Sequence, residues 1–109
     1  MLAIGGVPGT HEVSAWELYF PALPAVRMGD YETARRILEE ALAENDHEAL
    51  HYNLACVEAL AGNRDRALDE LERSAQRHRE HARDDPDFDS LRDDPRFLAL
   101  TGQPDPGGA

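Results

Sequence analysis

The stretches GDYETARRILEEAL (residues 29–42) and GNRDRALDELERSA (residues 62–75) decide the fold, because they share one pattern. Each opens with glycine and a capping residue, crosses a short polar run, reaches alanine, and places leucine four residues later. Gly29 matches Gly62, Ala34 matches Ala67 and Leu38 matches Leu71, each 33 residues apart. A period near 33 predicts stacked helical hairpins. Ala34, Ile37, Leu38, Ala41 and Leu42 form one stripe at helical spacing, and Ala67, Leu68, Leu71, Ser74 and Ala75 repeat it. Asp30 and Asn63 suit the N-cap position. Gly29 and Gly62 suit the left-handed residue that ends the preceding helix. Each pair therefore predicts a tight turn between antiparallel helices.

The helices before these turns follow. Residues 48–61 put Leu50, Leu54, Val57 and Ala61 on one face, with Ala55 and Ala59 as small packing points. Ser14-Ala-Trp-Glu17 reads as a capping box, with Val13 stapled to Leu18, and starts a helix running toward Met28. Pro21 and Pro24 interrupt it. Each removes a backbone donor and costs about 3 kcal/mol in a regular helix, so a break is expected between about Phe20 and Leu23.

The pattern His51, Leu54, Ala55, Glu58, then Ala67 and Leu71, resembles a tetratricopeptide repeat. The earlier copy, Leu18, Pro21, Ala22, Ala25, then Ala34 and Leu38, departs from that family at Pro21, where a packing leucine is usual. The resemblance covers about residues 15–80. It implies an all-α fold of two hairpins, a short α-solenoid, and a non-enzymatic module that binds protein. It also implies that the first helix of each hairpin lines a concave face. That face would carry Trp16, Tyr19, Leu23, Val26 and Arg27 from one hairpin, and Tyr52, Asn53, Cys56, Ala59 and Leu60 from the other. Many members of the family grip a terminal carboxylate with lysines and asparagines there. Here Arg27 is the one cation and Asn53 the one nearby amide, so acidic C-terminal tails are not expected to bind. The face is apolar with aromatic groups, the composition of interface centres, and self-association as a homodimer is favoured over a monomer. Separately, LAIGGVPGTHEVSAWE resembles the junction where a cupin barrel passes into a tetratricopeptide tail in some bacterial proteins. The alternative role is therefore the assembly or positioning of such a barrel.

The C-terminal third carries Asp-Asp-Pro-x-Phe twice, at residues 84–88 and 93–97. Asp85 and Asp94 are expected as N-caps, Pro86 and Pro95 as first helical residues, and Phe88 and Phe97 as apolar payload. A repeat array needs its open end covered, so the doubled phrase predicts two short capping helices. A calcium loop would need a glycine turn and a twelfth-position glutamate, and DDPDFDSLRDDP has neither.

Other chemistry is sparse. His47-Glu48-Ala-Leu-His51 matches a zinc-peptidase motif in letters, but no third ligand is evident, and His47 falls at a helix entrance. His78 and His81 sit among arginines, as on a solvated face. Cys56 lies mid-helix between Ala55 and Val57, as a small buried residue would. Neither catalytic nor metal residues, nor a cofactor, nor a small-molecule substrate is expected. The chain has 109 residues and a formal net charge of −11, with no lysine. That charge repels nucleic acid and anionic membranes, and the missing lysine excludes Schiff-base chemistry. One cysteine rules out an internal disulfide and fits a reducing cytoplasm. MLAIGGVPG lacks the basic and apolar regions of a secretory signal. The expected organisation is an extended arm over 1–13 and a helical domain over 14–102. Within that domain the repeats lie at about 15–46 and 48–80 and the cap at about 81–102. A disordered tail follows over 103–109.

Overall fold

The computed structural model describes residues 19–104 and is all-helical over that span. The arm, Ser14, Trp16 and the last five residues lie outside the described residues. A 3₁₀ turn, Phe20–Ala22, leads into α1, Leu23–Arg27. The expected break is therefore present: each proline opens a new turn at a position where its missing N–H costs nothing. Then follow α2, Tyr31–Glu44, α3, Glu48–Ala61, and α4, Arg64–Arg73. After them come α5, Gln76–His81, 3₁₀ turns Ala82–Asp84 and Pro86–Leu91, and α6, Pro95–Leu100.

Both hairpin turns use one geometry. Gly29 and Gly62 take positive φ, 77° and 86°. The Asp30 amide reaches back to the Ala25 carbonyl at 2.8 Å, and the Asn63 amide to Glu58 at 2.9 Å. This is the Schellman closure, and a β-carbon at either glycine would strain it. Asp30 caps α2 by accepting from the Thr33 amide. Asn63 differs from expectation and makes no side-chain cap. Its amide nitrogen instead donates to Glu58 Oε1 at 2.8 Å.

Helix α3 lies between two cores. On one side Leu50, Leu54 and Val57 meet Ala22, Ala25, Ala34 and Leu38. On the other, Tyr52, Ala55, Cys56 and Ala59 meet Ala67, Leu68 and Leu71 of α4 and Ala82, Phe88, Leu91 and Phe97 of the tail. The doubled phrase thus performs the capping role. Asp85 and Asp94 accept from the amides of Asp87 and Arg96. Phe88 and Phe97 are fully buried, ring centroids 5.7 Å apart. Arg92 ties the tail together. Its guanidinium donates to the carbonyls of Ala82, Arg83 and Asp85 and lies 5.9 Å from the Phe97 ring centroid. Arg96 bonds Asp69 and Glu72 of α4, each at 2.8 Å. Arg73, four residues after Asp69, bonds Glu70.

The α2–α3 contact also holds a charge. Glu58 is buried, and Arg35 grips it bidentately at 2.5 and 2.7 Å. Burial pushes its carboxyl up, but bonds from Arg35 and Asn63 and the nearby Arg66 charge outweigh burial and leave it below the ordinary 4.5.

Phe97→Ala is expected to cost ~3–5 kcal/mol, the range for truncating a core aromatic. Urea denaturation measures it, and a loss under about 0.5 kcal/mol would mean that the tail is not structural. Arg35→Ala strands the Glu58 carboxylate and is expected to cost ~3–5 kcal/mol at pH 7. Because Glu58 is depressed in the folded state, that part of the stability is present above the unfolded value and disappears as pH falls through the folded one. The gap between wild type and Arg35→Ala should therefore close in acid.

Candidate functional site

Repeat equivalence pairs Tyr19 with Tyr52, Leu23 with Cys56 and Arg27 with Leu60 across the first helices of the two hairpins. The structure brings these helices together and then divides the face. Tyr52 and Cys56 are buried under the chain's own tail. The Tyr52 hydroxyl donates to Asp85 Oδ2 at 2.5 Å, and its ring lies 5.7 Å from Phe88. Ala59 belongs to the same core. Tyr19 is half-buried beside them: burial, then the Cys56, Asp87 and Asp85 charges, push its hydroxyl up to about 12. Val26 packs on the first core. Leu23 and Asn53 are half-buried, and Arg27 is exposed, with no ion pair among the described residues.

The apolar groups that reach solvent lie elsewhere on this face and its rim. Leu60 is 37 % exposed, Phe20 57 % and Met28 82 %. Phe20 and Met28 were not legible as surface residues. The one clue for Phe20 is the proline that follows it, since Phe20 opens the short 3₁₀ turn that holds Pro21.

Under the tail, Cys56, Asp85 and Asp87 bring three ligand-type atoms within 4.8 Å of one another. The arrangement is that of an acid cluster. Burial pushes the Cys56 thiol well up, and the Asp85 and Asp87 charges add to it. Burial, then Asp85, also raises the Asp87 carboxyl. Asp85 Oδ2 already accepts from Tyr52. A neutral thiol is a poor nucleophile and a poor metal ligand. The zinc-like motif is likewise engaged in structure. His47 Nδ1 accepts from the Ala49 amide at 3.1 Å and caps α3. His51 meets Glu70 at 2.7 Å through Nδ1 and Asp46 at 3.7 Å through Nε2.

A family model described as tetratricopeptide repeat matches residues 25–94, well over half of the chain. Neither a curated protein nor a solved structure matches it. The match starts just past the second proline and runs into the tail as far as Asp94. No helix among the described residues is long and apolar enough to cross a membrane.

Tyr52→Phe removes the donor to a half-buried carboxylate and is expected to cost ~1–3 kcal/mol. Cys56 in the folded chain should resist alkylation by iodoacetamide at pH 8 and react promptly in urea. Prompt labelling without denaturant would show that the tail does not cover it.

Proposed function

Because this chain belongs to the tetratricopeptide repeat family, we propose that it is a non-catalytic protein-interaction module whose partner meets the uncovered half of its first-helix face. The exposure of Leu60 and Met28 carries this reading. Leu60 is the last residue but one of α3 and Met28 follows α1, so both lie toward the C-terminal ends of the first helices of the two hairpins. Arg27 stands at the repeat position equivalent to Leu60, with its charge uncommitted among the described residues. Leu23 and Asn53 are half-buried on the same two first helices, and Val26 packs on the first core. Apolar groups around an arginine and a methionine are the composition of an interface core rather than of ordinary surface. Tyr52 and Cys56 support the face from below the tail. The partner this surface suits is an apolar helix or segment, with a second copy of the chain as the first candidate.

Sedimentation equilibrium on the intact chain, with Leu60→Glu and Met28→Glu beside it, tests the proposal. Both positions are exposed, so the variants should keep the parent's helical circular dichroism. A dimer that becomes monomeric in both variants supports self-association through this patch. A monomeric parent rules self-association out. A dimer that neither variant disturbs places the interface elsewhere.

A further inference from the structure

We propose that His78 is a proton-operated latch: adding a proton to its ring loosens α5, and with it the capping tail, from α3. The observation that carries this is one nitrogen. His78 Nε2 is buried and has no hydrogen-bond partner among the described residues. The ring lies against Tyr52, centroids 5.5 Å apart and planes tilted by 31°. Tyr52 is the residue whose hydroxyl holds Asp85 at the head of the tail. The segment is short: α5 spans only Gln76–His81, has no side-chain N-cap and buries none of its own residues. Its other ties are the Arg77–Glu48 pair, the bonds of Arg79 to the Glu72 and Ser74 carbonyls, and the His81 ring on Tyr52.

Neutral imidazole tolerates the site. With its proton on Nδ1, only a lone pair is buried at Nε2. Imidazolium does not tolerate it, because both nitrogens then donate, and a charged N–H would be sealed away without an acceptor. The surrounding charges point the same way. Arg77 and His81 on α5 and His47 at the entrance of α3 oppose a positive ring. Glu48 of α3 attracts it, but Glu48 is bonded to Arg77 at 2.6 Å. The Tyr52 ring offers some cation–π attraction. Burial, then Arg77, prevails, and the folded ring sits below its ordinary 6.5. The folded state therefore binds this proton less readily than the opened state does. The contact is at full strength above 6.5 and weakens as pH falls from there toward the folded value.

The test is a nuclear magnetic resonance titration of His78 in the intact chain, paired with hydrogen exchange of the Phe88 and Leu91 amides. The expected midpoint lies below 6.5. Exchange at the two amides, corrected for its intrinsic pH dependence, should quicken relative to Leu38 below that pH, by up to about tenfold per pH unit. His78→Phe keeps an aromatic ring on Tyr52 and should abolish the acceleration. His78→Gln, neutral and polar, serves the same comparison if the phenylalanine variant does not fold. A midpoint at or above 6.5 overturns the proposal by itself, as does equal acceleration in the variant.

Discussion

Helix α3 has to be covered on two opposite sides, and the rest of the molecule follows from that constraint. Its buried residues run almost without interruption from Ala49 to Ala59. A helix that is apolar nearly all round cannot rest against a single neighbour. The first hairpin supplies one cover and α4 only part of the other. In a longer array the next repeat would complete the second side. Here the second hairpin runs into the tail, so Phe88, Leu91 and Phe97 do that work. Alanines at 34, 55, 59 and 67 let the helices approach closely, and nothing larger would fit at positions this completely buried. Glu58 is the exception on α3. It is kept because Arg35 and Asn63 satisfy both of its oxygens, which ties α2, α3 and the second turn to one charge.

The tail that completes the cover also limits the function. The chain lays its own Pro86–Leu91 segment over the part of the first-helix face that holds Tyr52 and Cys56. The Asp-Pro start gives each short turn a cap and a ready-made first residue without needing a long helix. The phenylalanine supplies the burial. Arg92 then adds a second donor to the Ala82 and Asp85 carbonyls, which already accept from the Asp85 and Phe88 amides, and bonds the Arg83 carbonyl as well, a task suited to its forked guanidinium and not to a lysine. What remains open is the crown formed by Arg27, Met28 and Leu60.

Much of this fold was legible because its signals are local. The glycine turns, the caps at Asp30, Asp85 and Asp94, the proline break and the repeated apolar stripe each depend on residues a few positions apart. The candidate surface was legible only by halves. Spacing assigned Tyr52 and Cys56 to the same face as Tyr19 and Leu23. It could not show that Asp85, 33 residues beyond Tyr52, returns to cover them. Asn63 misled for a related reason: its sequence position is that of a cap, but a buried carboxylate five residues earlier claims its side chain. In each case a distant or buried partner outweighed the local preference.

The carboxylates on the two sides of α3 are tuned in opposite directions, and the difference lies in their donors. Glu58 has arginine and amide donors and stays ionised despite its burial. Asp87 faces Asp85 and a neutral thiol, so burial and repulsion raise it. Its folded value being raised, it opposes folding at neutral pH and ceases to do so as pH falls through that value. Such a group persists because its position serves a second purpose. Asp87 sits in the first turn of Pro86–Leu91, where a negative charge faces the unpaired amides, and its own N–H is the one that Asp85 captures to start the turn. The tail is thus held by Tyr52, Phe88 and Arg92 against a carboxylate that resists the fit. That cost is set against the burial of Phe88, Leu91 and Phe97, which the tail adds to the core around α3.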